Sequence, residues 1–212
     1  MLLLIFFNIF AKVTLIYFLF MISEETKKIN LQVFYTKLEN VCGIDKKTVE
    51  SLHEKYGEKL MNGSFTNIND HGNAYEGSLI EIVLKKLTLY AVRLNELLPD
   101  KKRVDKNTLV KVCLLHHVAK AIRLIPNDNQ WEIEKRGMVF KYDENQPSIR
   151  TGLHSLLICQ ECGIQFTAEE AEAMTVNDRD LTDDQARWHS SVMATIVRQA
   201  NELTYLEIND KK

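Results

Sequence analysis

The chain has 212 residues, 45% hydrophobic and 26% charged, which suits one globular domain, or one domain with an appendage, and excludes wholesale disorder. Its formal charge of −2 gives no electrostatic reason to expect nucleic acid as the main partner. Cys42, Cys113, Cys159 and Cys162 are too sparse for a disulfide scaffold, and the Cys159-Gln160-Glu161-Cys162 run has neither a second zinc-ligand pair nor a βαβ context. They read as reduced thiols on buried helix faces.

Residues 1–22, MLLLIFFNIFAKVTLIYFLFMI, differ from everything that follows. As a helix they would reach roughly 33 Å, enough to cross a bilayer, although Lys12 near the middle costs about 2.5–3.5 kcal/mol. The favoured reading is a mis-called start upstream of Met21, which leads directly into a polar run. The alternative is a membrane anchor, with Lys27 and Lys28 holding the domain on the cytoplasmic side. Residues 23–66 form N-terminal helices. Leu31, Phe34, Tyr35 and Leu38 make one stripe, closed by Gly43. Asp45 caps a second, with Val49, Leu52, Tyr56 and Leu60 on its apolar face. Met61 to Gly77 reads as a long loop in which His71 is a candidate for a pocket rim.

Ser78 opens a long helix through Leu79, Ile82, Val83, Leu87, Tyr90 and Leu94 to Leu98-Pro99. The basic run Lys101-Lys102-Arg103 is a solvated loop. Asp105 or Asn107 caps a helix through Leu109, Val112, Leu115 and Val118 to about Leu124, and Pro126 stops it. Trp131 to Tyr142 alternates around Arg136-Gly137 and predicts a β-hairpin, with Trp131 and Trp188 as packing anchors. Helices resume near Thr151. Thr167-Ala168-Glu169-Glu170 predicts a capping box. Asp184 to Ile208 forms the last helix, with Val192, Thr195, Ile196, Gln199, Leu203 and Leu206 inward, and 209–212 is a tail. The fold class is all-α, a helical bundle with one small β-hairpin inserted.

Leu114-Leu115-His116-His117-Val118-Ala119-Lys120 resembles the Leu-Leu-His-Asp-Ile-Gly-Lys segment of the HD superfamily of metal-dependent phosphohydrolases. Ala74 to Ile82 is similar to that family's Gly-Gly-Leu-Leu-Glu-His helix start. Thr167 to Met174 resembles its Leu-Thr-x-Glu-Glu-Ala-x-Ala-Ile helix, and Arg198 to Leu203 its closing His-x-Ala-Asp-x-Leu segment. The pieces come in family order over residues 70 to 207, so the resemblance implies an HD-like domain over 67–208.

In that family, His and Asp from neighbouring helices hold divalent metals that activate water and neutralise a phosphate ester's developing charge. The resemblance places Ile82, which cannot ligate, at the first histidine. His116 is kept, and His117 replaces the aspartate. The third position falls on Thr151 if Ser155 matches the family's serine, or on His154 after a three-residue shift. The fourth falls on Asn177 with Asp178 beside it, and the last aspartate becomes Asn201. Lys120, which the resemblance places near substrate phosphate, is retained.

The expectation is therefore an HD-like protein without metal-dependent phosphoester hydrolysis and without a cofactor. It would act as a cytoplasmic module for a nucleotide-like or phosphorylated small molecule, or for a protein partner. Lys120 is the one catalytic candidate, and Lys120, Arg136, Arg150 and Arg198 are candidates to line a phosphate pocket. The alternative is an active hydrolase or nuclease using Mn, Fe, Ni or Zn at a remodelled site that includes His116, His117 and His154. Adjacent histidines on a helix point about 100° apart, so one of His116 and His117 is expected in the core and the other in the pocket. The membrane enters only through residues 1–22, and His53 and His189 are expected at the surface.

Overall fold

The computed structural model describes residues 22–69, 73–178 and 190–209. The expectations for residues 1–21, His71, Trp188, His189 and the 184–189 start of the last helix lie outside the described residues. Among the described residues no helix is long and apolar enough to cross a membrane.

The fold is predominantly helical. α1 (Glu24–Asn40) begins at Ser23, whose side chain accepts from Thr26 N. α2 (Lys46–Asn62) begins at Asp45, whose carboxylate accepts from Thr48 N at 3.1 Å, and Gly43 between them takes φ +67°, as a helix stop of this kind requires. α3 (Ser78–Ile82) runs through a π-helical turn, Val83–Leu87, into α4 (Thr88–Leu97). The Thr88 hydroxyl donates to the Val83 carbonyl at 2.8 Å and so satisfies the widened turn. α5 (Lys106–Leu115), capped by Asp105, is followed by a tight turn and α6 (Lys120–Arg123). α8 (Thr151–Glu161), α9 (Ala168–Thr175) and α10 (Val192–Ile208) complete the helical body.

One continuous core joins these helices. Phe34, Leu38, Leu52, Leu60, Leu87, Leu109 and Leu115 are fully buried and belong to one cluster with residues of α8, α9 and α10. Lys27 is also buried. It reaches Asn62 Oδ1 at 3.0 Å and Glu76 at 3.2 Å, and pairs with Glu24, so α1 is tied to the segment that precedes α3.

The hairpin expected at 131–142 does not form. Gln130–Arg136 is a helix, α7. Asn129 Oδ1 accepts from Trp131 N and Glu132 N at its start. Gly137, at φ +63°, ends it by donating to Ile133 O at 3.1 Å. Gly137 is therefore a helix stop and not a hairpin turn. A two-stranded antiparallel sheet is present, but it pairs β1 (Leu124–Pro126) with β2 (Phe140–Tyr142) across α7. Trp131 is 61% exposed and so is not the buried packing anchor expected.

Two further registers differ from expectation. The helix opened by Asp105 stops at Leu115, because the Ala119 N–H is taken by Ser155 Oγ at 3.1 Å and the intervening bonds tighten to Val118 N–Leu115 O and Lys120 N–His117 O. On α10 the inward face is Met193, Ala194, Ile196, Val197, Ala200, Asn201, Thr204 and Ile208. Val192, Leu203 and Leu206 are exposed. The small residues on that face allow α10 to pack against α4 and α9, which a count of large apolar side chains does not register.

Candidate functional site

The turn after α5, the first residues of α6 and α8, the 3₁₀ turn Val176–Asp178 after α9 and the middle of α10 converge on a cavity of about 500 Å³. Its walls include His116, His117, Lys120, Arg123, Asn177 and Asn201. Because the helix has already ended at Leu115, the two histidine rings do not diverge as helical neighbours would. Their centroids lie 4.4 Å apart, both are buried, and both line the cavity. The division into one core and one pocket histidine therefore does not hold.

Each histidine is paired with an asparagine. His116 Nε2 accepts from Asn177 Nδ2 at 2.7 Å. His117 Nε2 stands 2.8 Å from Asn201 Oδ1; an amide oxygen can only accept, so the ring N–H donates. Burial, followed by the nearby Lys120 charge, pushes His116 down to about 4 and His117 well below its usual value. Both rings are neutral at pH 7. Phe65 meets the His117 ring edge-on, with centroids 5.0 Å apart.

Lys120 Nζ donates to Phe65 O at 2.7 Å and to Tyr205 Oη at 2.6 Å, and sits 3.9 Å from the Phe65 ring centroid. Arg123 donates through Nη1 to Ile149 O and lies 5.8 Å from the Tyr142 ring centroid, while its Nε has no hydrogen-bond partner among the described residues. Arg150 stands at the N-cap of α8 and also lines the cavity. Among the described residues none of these three cations is ion-paired to a carboxylate. Asp178 is the carboxylate in the wall among the described residues. Its oxygens accept from Gly152 N at 2.9 Å and Leu153 N at 2.7 Å, which caps α8.

Of the residues singled out in the sequence, His116, His117, Lys120, Arg150, Thr151, Asn177, Asp178 and Asn201 share this cavity. His154 does not line it. It is buried in α8, and burial followed by the Arg123 charge lowers its pKa. Arg136 is exposed on α7 with Glu132 3.6 Å away, and Arg198 is half-buried one turn before Asn201; neither lines the cavity. Ser155 braces the site by donating to Thr151 O at 2.9 Å while accepting from Ala119 N. Sequence reading missed Arg123, Tyr142 and Tyr205. Arg123 was detectable, since Lys120 and Arg123 stand at i, i+3 and share a helix face.

The donor set is a poor match for a divalent ion. Ile82 is a buried core residue, both histidine Nε2 atoms are engaged by asparagines, and Asp178 is engaged by backbone. Among the described residues no three His, Cys, Asp or Glu side chains gather to hold a metal. Compared with known proteins, the chain matches no family model, no curated protein and no solved structure.

Proposed function

We propose that this chain is an HD-like helical module without metal-dependent phosphoester hydrolysis, and that it binds a small ligand in the cavity at the end of α5. The supporting observation is the pair of bonds His116–Asn177 and His117–Asn201. The resemblance puts these four residues at or beside ligand positions, and they meet at one cavity although they come from three distant parts of the chain. There the two Nε2 atoms are taken up by neutral amide groups, while both Nδ1 atoms stay buried without a partner among the described residues. Asn201 stands where the family's chemistry needs a carboxylate.

Elemental analysis of protein purified without chelator tests this reading, together with hydrolysis of a generic phosphodiester in added manganese. The expected result is below about a tenth of an equivalent of bound metal and no turnover above buffer. Stoichiometric metal, with turnover abolished by His116→Ala, would overturn it.

A further inference from the structure

We infer that the cavity is a metal-independent oxyanion site in which Lys120, Arg123 and Arg150 together take a phosphate-class dianion. This rests on reading the cavity as a ligand site, and it names both the ligand chemistry and what replaces the metal charge. Lys120 and Arg123 project from one turn of α6, and Arg150 comes from the start of α8. The three reach one cavity in which Asp178, the one carboxylate among the described residues of its wall, is already spent on Gly152 N and Leu153 N.

Among the described residues the three cations have no anionic partner. Lys120 Nζ meets a carbonyl, a phenol and two ring faces, and Arg123 keeps a buried Nε–H without an acceptor among the described residues. Lys120 and Arg123 are half-buried and Arg150 is exposed, and converging cations without a carboxylate partner are stabilised by an incoming anion. Two guanidinium forks and an ammonium suit a tetrahedral oxyanion, which offers several acceptor oxygens at once, better than a planar carboxylate. The histidines add no charge, so the metal's role in neutralising phosphate passes to the three side chains. The cavity, about 500 Å³, also has room for the body that carries the phosphate.

The experiment is calorimetric titration of the full chain with inorganic phosphate. It is run once in EDTA, and once on protein loaded with manganese and then desalted. Binding is expected in EDTA, with affinity in the loaded sample unchanged within about threefold, a difference under 1 kcal/mol. Arg123→Gln and Arg150→Gln are each expected to weaken it at least about tenfold, with thermal melts confirming that both variants fold. Arg136→Gln, off the cavity wall, leaves it unchanged. Binding that survives both cavity substitutions puts the anion elsewhere and overturns the inference. Absence of binding in both samples also overturns it, yet leaves the hydrolysis-free reading standing. Binding only in the manganese-loaded protein overturns both.

Discussion

Two regions meet at the cavity and are built differently. In the helical body Phe34, Leu52, Leu109 and Leu115 are fully buried in one cluster that spans most of the helices. In the lobe formed by β1, α7 and β2, the buried apolar residues are Leu124, Val139 and Phe140 with Ala74, and Ile133 only leans on them. That lobe is fastened by polar bonds centred on Asn127. Its side chain donates to Met138 O at 2.7 Å and Glu132 Oε2 at 2.9 Å, accepts from Asn129 N at 3.0 Å, and its backbone N donates to Val139 O. The body is held by area removed from water and the lobe by a few directional bonds, so the two should open at different free energies.

The largest effect that separates them is truncation in the body. Phe34→Ala removes a fully buried ring and should cost about 3–5 kcal/mol, lowering the midpoint of the whole transition. A loss under about 1 kcal/mol would mean that the α1 interface is loose. Acid comes next and also acts on the body. The folded pKa values of His116 and His117 lie below the unfolded value near 6.5. Their contribution is therefore complete above pH 6.5 and is lost as pH falls toward about 4, where His116 itself titrates. Each histidine that stays neutral in the fold takes away about 1.4 kcal/mol per pH unit in that window. Denaturant unfolding at pH 7, 6, 5 and 4.5 checks this, and a flat midpoint would show that the rings are hydrated.

The same contrast governs what was legible in the sequence. The body announces itself through apolar spacing, so the stripes of α1, α2 and α3–α4, the Asp45 and Asp105 caps and the Thr167–Glu170 capping box, with both of its bonds present, were readable. α10 was readable as a helix but not in register, because its inward face uses Ala194, Ala200 and Thr204, whose value depends on the close neighbours they permit. In the lobe, Trp-Glu-Ile-Glu alternates like a strand. The deciding information is that Asn129 caps a helix and Gly137 ends one, which is positional chemistry rather than periodicity. The cavity was legible where a residue type carries chemistry, as at His116, His117, Lys120 and Asn201. Arg123 and Tyr205 carry no family motif and enter the cavity through helix spacing alone, Arg123 three residues after Lys120 on α6 and Tyr205 four after Asn201 on α10.

Asn127→Ala sharpens the comparison from the lobe side. It leaves the Met138 carbonyl and the Asn129 N–H without their partner and should cost about 1–3 kcal/mol. Hydrogen exchange should accelerate at residues 124–142 while amides of α5 and α10 keep their protection. Equal acceleration in both regions would show that they unfold as one unit.

The smallest effect is the most selective. Gly137 stands at φ +63°, where a β-carbon costs about 1–2 kcal/mol and asparagine is tolerated better. Gly137→Ala should therefore loosen the α7 end by about 1 kcal/mol, and Gly137→Asn by less. Neither substitution touches the cavity, yet the lobe supplies Leu124 and Tyr142 to its wall, and Arg123 lies beside the Tyr142 ring. If the lobe holds that wall in place, Gly137→Ala weakens inorganic phosphate binding modestly, Gly137→Asn less so, and the melting temperature of the body barely moves. Phosphate affinity that is insensitive to both would assign the wall to the helical body alone, with Lys120 and Arg150 carrying the site without help from β2.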